Sequence, residues 1–104
     1  MGFEQYHEPA NELSENVRTF ARMITSLTEE AEAIGWYEQR MSLEKDKDAR
    51  AIMQNAQKEE FKHFAMDLEF LLRKNETWKH IASNILFVKG DITENAEKAE
   101  KVAD

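Results

Sequence analysis

Apolar side chains recur along the first part of the chain at alternating steps of three and four residues, through Val17, Phe20, Ile24, Leu27, Ala31, Ile34 and Met41. That spacing marks one face of a helix packed against other helices. Pro9, the only proline, suits a first helical turn, so the pattern predicts a helix over roughly 10–41. The polar stretch from Ser42 to Asp48 reads as a helix hairpin turn, in which either Ser42 or Asp46 can cap the second helix. That helix, roughly 46–74, carries Ile52, Met53, Ala56, Phe64, Leu68 and Leu71 on its inner side. At 1.5 Å per residue each long helix spans about 45 Å.

Beyond Asn75, a candidate N-cap, Trp78, Ile81, Ala82, Ile85 and Leu86 fall at helical spacing and predict a short amphipathic helix over roughly 76–87, ended by Gly90. Thr93 can cap a last, mostly charged helix over roughly 94–103, whose apolar content (Ala96, Ala99, Val102, Ala103) is thin. The expected fold is therefore all-α: one domain over 1–104, an antiparallel two-helix hairpin followed by short C-terminal helices. A lone hairpin covers only one side of each helix. Self-association of two copies into a four-helix bundle is the expected remedy.

Composition narrows the function classes. A 104-residue chain with 41% hydrophobic and 34% charged residues, three Gly and one Pro is suited to long helices rather than a turn-rich β fold. Its formal net charge of −7 repels phosphate backbones and anionic lipid, which argues against nucleic acid and membrane surfaces as partners. With no Cys, disulfides, thiolate nucleophiles and zinc-thiolate sites are excluded, so any metal sits among oxygen and nitrogen donors. No apolar run approaches the roughly 18 residues needed to span a bilayer, and Met1-Gly2-Phe3-Glu4 lacks a basic-then-apolar signal pattern. A cytoplasmic location is expected.

Chemistry concentrates in the middle of the two long helices. Glu60 and His63, three residues apart, project from one helix face about 4.5 Å apart along the axis. Glu60 also interrupts the line Met53, Ala56, Phe64, Leu71, where an ordinary core places an apolar residue, and a buried carboxylate needs a partner. Glu30 supplies one. It lies beside the seam of Leu27, Ala31 and Ile34, and Glu30 and Glu60 are each fifteen residues from Lys45 at the middle of the turn. In an antiparallel hairpin the two then stand level, and one chain presents Glu30, Glu60 and His63 together.

Ferritin-like di-metal proteins build their site from a Glu on each of two helices plus a Glu-x-x-His on each of the other two. This chain carries one of each, so two copies supply four Glu and two His across a dimer interface. Carboxylate with imidazole suits iron or manganese. Glu4-x-x-His7 has the same spacing but no apolar surround, and reads as a solvated pair; His80 reads as a surface residue. Gly35 within the helix fits either close packing beside Trp36 or simple tolerance, and Trp36 and Tyr37 also fit ordinary core or interface roles.

Three stretches carry a resemblance to a known family: Glu29 to Arg40 with its Trp36-Tyr37-x-Gln39-Arg40 run; Glu59-Glu60-Phe61-Lys62-His63-Phe64-Ala65-Met66; and Trp78-Lys79-His80 with Leu86-Phe87 through Thr93. Across nearly the whole chain the sequence resembles the encapsulated ferritins. The resemblance implies a ferroxidase that oxidises Fe(II) to Fe(III) at a di-iron centre formed across a homodimer interface, with calcium, zinc or manganese as substitute metals. It further implies an annular decamer held as cargo inside an encapsulin shell, where iron is stored. By the same match Glu30, Glu60 and His63 correspond to the iron ligands and Tyr37 to a group beside them. Glu29 and Glu32, with Trp36 adjacent, correspond to an acidic pair on the iron access route, a role that competes with that of a solvated helix face. Asn55 and Lys62 stand where family members carry further metal-attracting groups around the second helix, with only Glu59 kept, and no small apolar shell-docking tail precedes Asp104. Two other readings remain: a non-catalytic helical assembly module, or a ferritin-like site that holds manganese or zinc.

Overall fold

The structure, a computed structural model, describes residues 5–103. Glu4 lies outside the described residues, as do the side chains of Val102 and Ala103. Every regular element among those residues is helical: α1 (Glu15–Leu43), α2 (Lys47–Arg73), α3 (Glu76–Ser83) and α4 (Ile92–Ala103). They belong to two compact units, one ending at Leu68 and one beginning at Glu69.

In the first unit α1 and the part of α2 up to Leu68 form an antiparallel pair. The stretch after Pro9 makes a single 3₁₀ turn, Ala10–Glu12, and α1 starts only at Glu15, because the Ser14 hydroxyl accepts from the Val17 amide at 3.2 Å. Arg18 straps the 3₁₀ turn to the helix by donating to the Ala10 carbonyl at 3.2 Å. At the hairpin turn, Asp46 takes the capping role. Its Oδ1 accepts from the Ala49 amide at 2.9 Å, while the Ser42 hydroxyl donates back to the Gln39 carbonyl and closes α1. A carboxylate at the N-cap also favours the positive end of α2's dipole.

The hairpin has no sealed interior. No residue of α1 is fully buried, and Ile52, placed by its spacing on the inner side of α2, is 71% exposed. Val17, Trp36, Phe61 and Met66 are also about half exposed. A Cβ added at Gly35 would meet nothing within 4 Å, so within one chain this glycine answers no close approach. The most deeply buried polar residue is Gln57, whose amide donates to the Ile34 carbonyl at 3.1 Å and to Glu38 Oε1 at 2.9 Å. One side chain of α2 thus grips two successive turns of α1 and sets the register of the pair.

Among the described side chains of the second unit the buried apolar residues are Leu71, Leu72 and Ala99, and α3 packs with α4. Asn75 caps α3, its Oδ1 accepting from the Trp78 amide at 2.8 Å. The α-helix stops at Ser83, short of Gly90, in a run of turns where Phe87 takes a positive φ of 62° and stays fully exposed. Asp91, not Thr93, caps α4: its Oδ1 accepts from the Glu94 amide at 3.0 Å and from the Thr93 hydroxyl at 2.7 Å. Those bonds hold the Asp91 carboxyl below the usual range. A carboxylate is a stronger acceptor than a hydroxyl, which here serves as its donor.

Removing the Gln57 amide leaves Glu38 without its donor. Gln57→Ala should lower stability by about 1–2 kcal/mol in urea unfolding. Gln57→Glu, which sets a second carboxylate against Glu38, should lose more at pH 8 than at pH 5. Wild-type stability in both variants would mean that the amide does not hold the pair.

Candidate metal centre

Glu30 sits in the middle of α1, on the edge of the Leu27, Ala31, Ile34 seam, and is half-buried. Across the hairpin, Glu60 and His63 lie one helical turn apart on α2, with His63 Nδ1 3.2 Å from Glu60 Oε1. In the tautomer that carries its proton on Nδ1, the ring donates to Glu60 and leaves the Nε2 lone pair available. The imidazole side chain is 44% exposed and the Glu60 side chain 25%. Both are within electrostatic reach of Glu30.

The closest partner of Glu30 is one that helical spacing alone did not single out. Asp67, four residues after His63 and seven after Glu60, shares their face of α2, and its carboxyl comes within hydrogen-bonding reach of Glu30. Side-chain direction accounts for the meeting. Helical side chains lean toward their own N-terminus, so in an antiparallel pair Glu30 leans toward the C-terminal part of α2 while Asp67 leans back toward Glu30. Glu30 Oε1 and Asp67 Oδ2 are shut off from solvent and have no donor. Two carboxylates can bond each other only if one carries a proton.

The electrostatic consequence falls on Glu30. Burial first, then the Asp67 carboxyl through hydrogen bond and charge, then the Glu60 charge, push its carboxyl from 4.5 up to about 7, against a weaker downward pull from His63. The four side chains form two pairs, Glu30 with Asp67 and Glu60 with His63. Among the described residues no three His, Asp or Glu side chains of the single chain converge into a metal-holding cluster.

The remaining candidates stay outside this group. Tyr37 lies two turns beyond Glu30 on α1, and its ring faces the Arg40 guanidinium, 5.6 Å from the ring centroid. Glu29 is exposed, Glu32 half-buried, and Trp36 50% exposed. Glu59 pairs with the Lys62 ammonium at 2.9 Å, which lowers its carboxyl pKa and leaves that outer position with its charge already matched. Asp67 could have been found from the sequence as the third polar position of the stripe Glu60, His63, Asp67; Gln57, one turn before Glu60, extends the same stripe.

Comparison with known proteins bears on this arrangement. Residues 5–89 match the family described as EncFtn-like. The chain is similar to a "Ferritin-like protein" of Thermotoga maritima, 42% identical over 95 residues, 91% of this chain and 83% of that one. It is also similar to an "Encapsulated ferritin-like protein" of Rhodospirillum rubrum, 39% identical over 87 residues, 84% of this chain and 62% of that one. The fold resembles the crystal structure of a protein from Nitrosomonas europaea, with a TM-score of 0.82 and 38% identity, covering 86% of this chain and 98% of the other. No described helix is long and apolar enough to cross a membrane.

The raised Glu30 carboxyl makes a stability prediction for the metal-free protein. A carboxyl whose folded value lies above its unfolded 4.5 binds more protons folded than unfolded. Its contribution is therefore present below 4.5 and is lost as pH rises through about 7. Urea unfolding between pH 4.5 and 8 should show wild-type stability falling across that window, and Glu30→Gln should flatten the fall. Identical pH profiles for the two proteins would remove the crowding argument.

Proposed function

Because the chain belongs to the EncFtn-like family of ferritin-like proteins, we propose that it is a ferroxidase that takes Fe(II) as substrate at a site shared by two copies of the chain. The observation that carries the proposal is the orphaned Glu30 oxygen, shut off from water beside the Asp67 and Glu60 carboxyls and within reach of His63. A carboxylate so placed needs a cation or a proton. The donor set, oxygen with one imidazole and no thiolate, fits iron. It fits manganese or zinc as well, and iron-dependent oxygen consumption separates those readings.

In this proposal Glu30 and Glu60 hold or bridge the metal through their oxygens, and His63 contributes Nε2. The Glu60 contact at His63 Nδ1 keeps the proton on that nitrogen and orients the ring. The chemistry at the centre is the loss of one electron from each of two Fe(II) ions to O2 or peroxide. Tyr37 lies on the same helix as Glu30, where its hydroxyl would serve as a hydrogen-bonding neighbour; Glu29 and Glu32, with Trp36, would draw cations toward the site.

Association supplies what one hairpin lacks. Two hairpins facing each other bring a Glu from each α1 and a Glu-x-x-His from each α2, the ligand set of ferritin-like bundles. They also cover the half-exposed apolar seam. Residence inside an encapsulin shell is part of the same proposal and rests on the name of the Rhodospirillum rubrum relative; higher assembly into an annular decamer belongs to it as well and rests on the family resemblance alone.

Activity should follow assembly. Fe(II) oxidation, measured after size separation, should be far faster per chain in the oligomer than in the monomer. Glu30→Ala, Glu60→Ala and His63→Ala should each lose most of it, while His7→Ala and His80→Ala keep it. Equal rates in the monomeric fraction, or a fully active His63→Ala protein, would rule out the shared site.

Metal should in turn drive assembly, because a cation relieves four carboxylates gathered at one interface and stabilises the state that binds it. Native mass spectrometry should show Fe(II), Zn(II) or Co(II) moving monomer toward dimer and larger rings. Replacing Glu30 and Glu60 by Gln should remove most of that shift. A wild-type distribution indifferent to metal would sink the electrostatic coupling.

A further inference from the structure

We infer that Asp67 is a further ligand of the proposed metal centre, so that each chain contributes three carboxylates around its one imidazole. The inference rests on the metal-site reading above and adds a residue to it.

The supporting geometry is local to the hairpin. Asp67 continues the stripe of Glu60 and His63 on α2, and its carboxyl meets that of Glu30. Its Oδ2 is shut off from solvent and has no hydrogen-bond donor, as is Oε1 of Glu30. A structural role would pair such an oxygen with a donor, as the Gln57 amide pairs with Glu38. Here the neighbour is another acceptor. An ion held by Glu30 would therefore have the Asp67 carboxyl as its neighbour, and a carboxylate facing a carboxylate is an arrangement that a cation turns from repulsive to attractive.

Charge gives the inference a direction. Four Glu carboxylates in a dimer cancel two divalent ions. Two Asp67 carboxylates raise the count to six, which matches two trivalent ions. Asp67 should therefore matter more for a trivalent ion than for a divalent one, biasing the site toward the oxidised product.

The test uses the full-length, metal-free oligomer titrated with two redox-inert probes, Co(II) followed by visible absorption and Tb(III) followed by aromatic-sensitised luminescence. Asp67→Asn keeps the shape without the charge, and Asp67→Ala removes the oxygens. Unfolding curves check that each variant is folded, and Asp67→Asn serves if the alanine variant is not. Asp67→Asn should weaken Tb(III) by roughly 10- to 100-fold, weaken Co(II) by less, and alter the Co(II) spectrum. A variant that changes stability but leaves both affinities and the Co(II) spectrum at wild type would overturn the inference and leave Asp67 a structural neighbour. Glu60→Gln and His63→Ala separate the two levels. If they weaken both probes while Asp67→Asn does not, only Asp67 is wrongly assigned; if they bind like wild type, the metal centre itself fails and Asp67 with it.

Discussion

In the middle of a two-helix hairpin the Glu30 and Asp67 carboxyls face each other, and the Glu60 charge, paired with the one nearby imidazole, adds to the repulsion. Glu30 bears the result: partly withdrawn from water, faced by Asp67 and approached by Glu60, its carboxyl rises to about 7. An apolar side chain at any of these positions would pack more cheaply. Crowded like charges persist when something outside the chain offsets them, a proton or a cation. In the proposed centre a multivalent cation would take that part, and folding, assembly and metal uptake would then be linked through the same few oxygens.

The hairpin around that patch is thin by the same logic. Helix α1 buries no residue completely, and apolar side chains on both helices stay half in water. At about 25 cal/mol per Å² of apolar surface, the uncovered seam is a substantial reserve of stabilisation that only another surface can release. Gln57 compensates locally. By bonding to Ile34 and Glu38 it holds α1 and α2 in register without a deep core between them. A register slip would carry Glu30 away from Asp67 and His63, so the amide one turn below Glu60 positions the candidate site as well as the fold.

Helix ends and helix faces were legible in the residues to different degrees. The 3–4 spacing from Val17 to Met41, the polar turn around Lys45 and the amphipathic run after Asn75 announce an all-α chain, because each is a local consequence of the 3.6-residue period. Caps were partly ambiguous. Asp46 and Asp91 outcompete Ser42 and Thr93 as caps, and Ser14 delays α1 beyond Pro9, since a cap is decided by whichever acceptor reaches the free amides first. Ile52 shows the same limit on a face: spacing put it inward, yet the hairpin leaves it 71% exposed, because one partner helix covers only part of the circumference.

The candidate site divides along the same line. Glu30, Glu60 and His63 stood out in the sequence because counting from a short turn gives axial level, and carboxylates interrupting an apolar line are visible without coordinates. Asp67 and Gln57 did not stand out, although each lies on the Glu60 stripe, since Asp and Gln on a charged helix are ordinarily solvated. What singles them out is the lean of each side chain toward its own N-terminus and the pairing of α1 with α2, which brings Asp67 to Glu30 and Gln57 to Ile34 and Glu38. Periodicity determines which residues share a face and a level; only the packed pair of helices decides which of them touch, because contact depends on side-chain direction and interhelical distance, quantities the order of residues does not contain.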